Sequence, residues 1–209
     1  MLASMCAHLV LLAVLMRSAS ATFVPDTTQK LMDALTFWDG DASQGLATYG
    51  AVGTWDVTAV DDFMALCKPL ANFNEDLTGW HSSGVTDMEY MFNNASSFDQ
   101  PLSFDTSSVK DISHMFYGAS AFNRPLPFDT SKVYGMGEMF RDAHTFNQPL
   151  ALDTRSVADM SCMFIDADAF NQPLTLDTSK VTTMTYMLNE RSEERRAGKE
   201  CRSRWSPYH

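Results

Sequence analysis

Basic side chains are scarce in this sequence: 15 Lys and Arg stand against 26 Asp and Glu, a formal charge of −11. Six of the basic and three of the acidic residues lie in 191–209, so residues 1–190 keep nine and 23, a charge of −14. That balance argues against nucleic acid and anionic membranes as partners. Cysteine is rarer still, with four in the chain, and Cys6 and Cys201 fall in its terminal stretches. Cys67 and Cys162 lie four repeats apart, about 19 Å at about 4.8 Å per stacked strand, beyond a disulfide's reach of about 7 Å. Cys67 reads as an inert core thiol and Cys162 as an exposed one. No cysteine pair has zinc spacing, no glycine-rich phosphate loop follows a strand, and no HExxH occurs. His81, His114 and His144 fall at different places in their units and read as surface histidines. No catalytic residue, metal site or cofactor is expected. Long apolar runs are also missing. The single run, Leu9 to Met16, is too short to span a membrane, so no membrane span is expected. With Ala19-Ser20-Ala21 behind it, it reads as a signal peptide over 1–21; a buried N-terminal helix is the alternative.

What the chain does have is a period. Phe98, Phe122, Phe146 and Phe170 are 24 residues apart, as are Val85, Val109, Val133, Val157 and Val181, and Met91, Met115, Met139, Met163 and Met187. Phe-Asn-Gln-Pro-Leu appears whole at 146–150 and 170–174, and with one change each at 98–102 and 122–126. A fixed period in the twenties marks stacked repeats. In the unit 109–131, Val109, Ile112, Met115, Phe116 and Ala119 draw one apolar stripe, which predicts a short helix capped by Asp105-Thr106-Ser107 and ended near Gly118. Leu126 and Phe128 alternate with Pro127 and Asp129, which predicts a very short strand with one face inward. Pro101, Pro125, Pro149 and Pro173 belong at the strand entrance, where no N–H is needed. The expected fold is therefore α/β: a leucine-rich-repeat-like solenoid with one short parallel strand and one short helix per unit, and with an N-terminal helical cap.

Residues 22–51 are the cap. Thr28 is placed to cap a helix carrying Leu31, Leu35 and Trp38, ended by Asp39-Gly40, and a second turn holds Leu46 and Tyr49. The repeats run over 52–190 as six units, the last truncated, with strands at Val52, Leu77, Leu102, Leu126, Leu150 and Leu174. The first two units are a residue longer, since Trp55 and Trp80 are 25 apart; Gly53 and Gly79 in them suggest a bulge. Residues 191–209 have no period, turn abruptly basic, and look like a translated sequencing adapter. On that reading the natural chain continues past Glu190, and the uncovered last unit is prone to self-association.

Three columns bear on recognition. Asp99, Asn123, Asn147 and Asn171 form a row read as buried groups that satisfy the turns of neighbouring coils. On the outward strand face lie Ser103, Pro127, Ala151 and Thr175, small residues that leave the surface open. Beside them runs a row of carboxylates, Asp105, Asp129, Asp153 and Asp177. The preferred reading of that row is that each Asp caps its own turn. The alternative is a calcium ladder, with Thr106, Thr130, Thr154 and Thr178 contributing oxygens. Asn94-Ala95-Ser96 is an N-glycosylation sequon at Asn94. The outer positions of the expected helices, such as Lys110, Arg141 and Asp159, show no pattern.

The unit FNQPLxxDTSxVxxMxxMF resembles the surface-protein repeat of about 25 residues first noted in mycoplasma lipoproteins, which is grouped with BspA-like leucine-rich repeats. The family's usual Trp-Asp-Thr-Ser stands here as Trp55-Asp56-Val57-Thr58, Phe104-Asp105-Thr106-Ser107 or Leu152-Asp153-Thr154-Arg155. The resemblance runs from about Leu31 to Leu188. It implies a repeat solenoid on a secreted or cell-surface protein, in a family that includes adhesins. The expected function is a non-enzymatic recognition or adhesion module with a protein or surface glycan as partner. The alternatives are a self-assembling structural array and a calcium-dependent surface protein.

Overall fold

The computed structural model describes residues 22–68 and 70–188. The expected signal peptide, the last two residues of the sixth unit and the adapter-like stretch lie outside them. The cap consists of two helices. Helix α1, Thr28–Gly40, buries Leu31, Ala34, Leu35 and Trp38 on one face. Its cap is Thr27, whose hydroxyl accepts the Lys30 N–H at 3.3 Å. Thr28, expected in that role, instead donates its hydroxyl to the Asp62 carbonyl at 2.9 Å and ties the cap to the first coil. Asp41 joins the helices: its N–H closes α1 on the Phe37 carbonyl, and its carboxylate accepts the Ser43 and Gln44 N–H groups that open α2, Ala42–Tyr49. The inward residue of α2 is Gly45, because a Cβ there would stand 2.5 Å from the Trp38 ring. Leu46, on the same helix, is exposed. Tyr49 packs edge-on against Phe23, Phe37 and Trp55.

The repeats overturn the strand-and-helix expectation. Val109, Ile112, Met115, Phe116 and Ala119 are all buried, so the apolar stripe is real. The backbone that carries it is a run of turns. Met115, Tyr117 and Ala119 donate to the carbonyls three residues back, at 3.1–3.3 Å. The alternating amides of Ile112, His114, Phe116 and Gly118 leave the unit altogether and donate to Gly135, Gly137, Met139 and Arg141 of the next coil, at 2.8–3.1 Å. His114 (φ 57°) and Gly118 (φ 67°) are left-handed, which no α-helix accommodates. Tyr90 and Asn94, Glu138 and Asp142, and Cys162 and Asp166 repeat the same pair of left-handed residues. A stripe of apolar residues three and four apart suits a chain of tight turns as well as a helix. The turns win because they send half the amides to the neighbouring coil.

Strands are missing too. Among the described residues there is no strand, and the first expected one, at Val52, is a 3₁₀ turn, Val52–Thr54. The parallel pairing that exists consists of isolated bridges, Asp62 to Asp87 to Asp111 to Gly135 to Asp159 to Thr183, and lies in the stretch expected to be helical. The fold is thus a stack of coils in 24- to 25-residue register, not an α/β leucine-rich-repeat-like solenoid with a strand and a helix per unit. The Pro-Leu stretches do run with alternate faces: Leu102, Phe104, Leu126 and Phe128 are buried while Ser103, Asp105, Pro127 and Asp129 are exposed. Side chains join these stretches where a backbone ladder was expected. Thr130 donates its hydroxyl to the Asp153 carbonyl at 3.0 Å and accepts the Asp153 N–H at 2.8 Å. Thr154 does the same for Asp177.

The core is built from two interlocked columns of phenylalanine. Phe73, Phe98, Phe122, Phe146 and Phe170 stack at 5.9–6.1 Å, within 10° of parallel. Phe92, Phe116, Phe140 and Phe164 stack at 5.5–5.6 Å. The columns meet at 4.1–4.2 Å within each coil. Such pairs contribute roughly 0.5–1.5 kcal/mol each beyond the area they bury. Cys67 heads the second column in place of Phe, fully buried, and burial pushes its thiol far up. Cys162 is half-buried, less open than expected. At the cap end Trp55 and Trp80 stack at 6.4 Å. Gly53 and Gly79 are there for clearance: a Cβ on Gly79 would lie 2.1 Å from the Gly53 carbonyl oxygen.

Candidate functional site

The register of the coils converts each repeat position into a row. The row Ser103, Pro127, Ala151 and Thr175 is exposed along its length, and beside it Asp105, Asp129 and Asp177 are exposed and Asp153 half-buried. Each carboxylate folds back on its own chain. Asp105, Asp129, Asp153 and Asp177 accept the N–H two residues on, from Ser107, Ser131, Arg155 and Ser179, at 2.9–3.1 Å. These are side-chain-closed turns, not helix caps. Hydrogen bonds from the side chains of Ser107, Arg155 and Ser179, and from the Ser131 N–H, hold all four carboxyls below the ordinary range, with the remaining N–H groups adding to them. The Arg155 guanidinium, gripping both oxygens of Asp153, draws that one down to about 2. Three of the four threonines offered as calcium ligands turn inward: Thr106, Thr130 and Thr154 are buried and spend their hydroxyls on the next coil, and Thr178 alone is exposed.

The Asn row is a ladder of side-chain acceptors. Asn74, Asp99, Asn123 and Asn147 each accept the backbone N–H one coil on, from Asp99, Asn123, Asn147 and Asn171, at 2.9–3.0 Å. It is not buried: Asp99, Asn123 and Asn147 are half-buried, Asn74 and Asn171 are exposed, and Arg124 pairs with Asp99 on the rim. Asn94 of the sequon is exposed at a left-handed turn, its amide donating to the Asn93 side chain at 2.9 Å.

A second patterned face was missed by the sequence reading. Asp62, Asp87, Asp111 and Asp159 occupy one row, the bridge row, and each accepts the N–H two residues on. The signal was available: each of Asp87, Asp111 and Asp159 follows its Val by two places, but that stripe was read as a helix, whose outer positions looked random. The next left-handed row holds Tyr90, His114, Glu138 and Cys162. His114 stacks on Tyr90 at 4.3 Å and lies between the carboxylates of Glu89 and Glu138. Lys68 covers Tyr90 and Arg141 covers Tyr117, closing the group at both ends. Burial first, then the neighbouring carboxylates, push Asp87 and Glu89 above their ordinary values. His144 bonds the Asp166 carbonyl and the Asp168 carboxylate. A shallow hollow at the cap end is lined by Asp56, Thr58 and His81 among the glycine backbones.

Among the described residues no helix is long and apolar enough to cross a membrane, and no three His, Cys, Asp or Glu side chains converge in a metal-holding group. No curated protein and no solved structure matches the chain. One family model does, twice and with overlap, over residues 40–127 and 102–199. The second match extends past Arg191, and together the two take in every coil. They carry the mycoplasma-type repeat and say nothing of leucine-rich repeats. The chain belongs to the repeat family described as mycoplasma protein of unknown function, DUF285.

Proposed function

We propose that this is a non-enzymatic recognition module of a secreted or cell-surface protein, whose partner is a protein or a surface glycan. The observation that carries this reading is the exposed row Ser103, Pro127, Ala151 and Thr175. Four successive coils present a small, uncharged side chain there, flanked by carboxylates already fixed by their own turns. Such a surface is pre-ordered, so a partner laid along it has little side-chain freedom left to freeze. Asp105, Asp129, Asp153 and Asp177 then select for cationic or hydroxyl-rich groups. Asn94, exposed on a turn, belongs to this reading as a glycan acceptor if the chain passes through a eukaryotic secretory pathway. Kinship with BspA-like surface repeats also belongs here, supported by the shared unit and not by a leucine-rich-repeat backbone.

The test is a glycan array together with a panel of extracellular proteins, probed with the native chain and with Pro127→Arg/Ala151→Arg. Both positions are exposed, so the melting temperature should hold. A ligand caught by the native chain and lost by the double variant is the expected result. A ligand kept by the double variant moves the site off this row. Silence on both panels counts against recognition.

A further inference from the structure

The hollow at the cap end lies on the outward rows themselves. Thr54 and Gly79 precede Trp55 and Trp80 as Ser103 precedes Phe104, and Asp56 and His81 follow those rings as Asp105 follows Phe104. Two substitutions set this end apart from the later coils. Gly79 has no side chain, because a Cβ there would meet the Gly53 carbonyl oxygen. His81 stands where the later coils carry aspartate. The result is an open depression of about 410 Å³ with Trp55 in its lining, within the roughly 300–1,000 Å³ of small-molecule sites.

The lining is rich in acceptors. Asp56 Oδ1 takes both the Thr58 N–H at 3.1 Å and the Thr58 hydroxyl at 2.6 Å. Those bonds, the hydroxyl's first, keep the carboxyl below its ordinary range and therefore ionised. Oδ2 has no hydrogen-bond or ion-pair partner among the described residues. The Thr54 hydroxyl donates to the Ala51 carbonyl at 2.7 Å. Both threonines have thus spent their protons inside the chain and keep only lone pairs to offer. His81, exposed, adds an imidazole that can donate or accept. Anionic ligands are repelled by Asp56, and no metal-holding group forms among the described residues. A lysine ammonium could meet the acceptors, but it is a narrow head on a flexible stem and leaves the hollow unfilled. A pyranose fills it. Its hydroxyls donate to Asp56 and the threonine oxygens, and its C–H face rests on the Gly79 backbone and Trp55.

We infer that this hollow is a subsite for one uncharged sugar unit, the end of a glycan laid along the row that begins at Ser103. The inference rests on the recognition reading and deepens it, since it selects a glycan over a protein as the partner.

The test is an NMR titration of the ¹⁵N-labelled native chain with the methyl glycosides of mannose, galactose, glucose and N-acetylglucosamine. Each is raised to about 50 mM, so that a millimolar Kd is seen. At least one should shift the Gly53, Thr58 and Gly79 amide signals saturably. Asp56→Asn keeps an oxygen for Thr58 and puts an amide N–H₂ in place of the open acceptor. It should weaken that binding roughly tenfold or more while the other signals stay native. His81→Ala, at an exposed ring, should weaken it as well. Silence from all four glycosides, or an unchanged affinity in Asp56→Asn, overturns the subsite. So does a response confined to methylammonium, run as the control, which would make the hollow a seat for a basic side chain. Pro127→Arg/Ala151→Arg lies two coils beyond Gly79 and should leave the glycoside shifts intact. A silent hollow beside an array ligand that this double variant loses would overturn the subsite and leave the recognition row standing. Glycoside binding with both panels silent would do the reverse.

Discussion

A Cβ on Gly135 would stand 2.6 Å from both carboxylate oxygens of Asp111. Every other coil carries a side chain at this place in the bridge row, from Asp62 to Thr183. At 135 the absence of one leaves room for the Asp111 carboxylate, which is already tied to the Ser113 N–H at 2.8 Å. Gly135→Ala should therefore cost about 1–2 kcal/mol, the price of moving Asp111 off its bond. In an Asp111→Ala background the same substitution should cost almost nothing. Gly79→Ala, which meets a backbone oxygen, should cost about 3 kcal/mol or more, and Gly84→Ala, with open space around it, should stay within about 0.5 kcal/mol. Denaturant melts of the four variants check the order, and a Gly135→Ala penalty that survives the loss of Asp111 contradicts the contact.

Phe140 touches three other rings and is fully buried. Phe140→Ala should cost about 3–5 kcal/mol. Leu188, which is 43% exposed, should cost less than about 1 kcal/mol on the same truncation. Equal losses at the two positions would rule out interlocked columns as the seat of stability.

Thr130 offers a sharper probe of how neighbouring Pro-Leu stretches are joined. Thr130→Val keeps the shape and strips the hydroxyl, leaving the Asp153 N–H and carbonyl without their partner. A cost of about 1–3 kcal/mol is expected, with most of it restored by Thr130→Ser. A backbone strand ladder at this position would make both substitutions nearly silent.

Asp153 and Asp87, one from each aspartate row, should respond to pH with opposite signs. Asp153 is held down to about 2, first by Arg155; its contribution is present above the ordinary carboxylate value and is lost as pH falls toward the folded one. Asp153→Asn should lower the melting temperature at neutral pH and change nothing near about pH 2. Asp87 is held up, first by burial and then by repulsion from Asp111 and Asp62; its contribution is present below the ordinary value and is lost as pH rises through the folded one. Asp87→Asn keeps an oxygen for the Glu89 N–H and removes the charge, so it should raise the melting temperature at neutral pH and lose that effect below about pH 3.5. Melting curves across the acid range show whether the two signs differ.

The register, the buried residues and the outward rows were legible in the sequence because burial and exposure repeat every 24 residues at Val109, Met115 and Phe122 on one side and at Ser103 and Pro127 on the other. Backbone conformation was not legible. Apolar spacing reports which side chains turn inward and leaves open whether an amide bonds within its own unit or to the next. Glu138 and Cys162 are not residues that announce a left-handed turn; the signal lay in the column Asn94, Gly118, Asp142 and Asp166, of residue types that tolerate one, and Gly118 was read there as a helix end. The place of His114 between Glu89 and Glu138 depends on that turn, so the reading that made it a helix also scattered the groups around it.

The hydrogen bond of the Phe116 amide decides between the two backbones. A helix from Val109 would send it to the Ile112 carbonyl, four residues back, whereas the stack of coils sends it 2.9 Å across to Met139. A through-hydrogen-bond scalar coupling measured by NMR on uniformly ¹⁵N,¹³C-labelled chain reads the partner directly. The expected result is a correlation between Phe116 N and the Met139 carbonyl carbon; a correlation to the Ile112 carbonyl carbon would contradict the stacked coils and restore the helix.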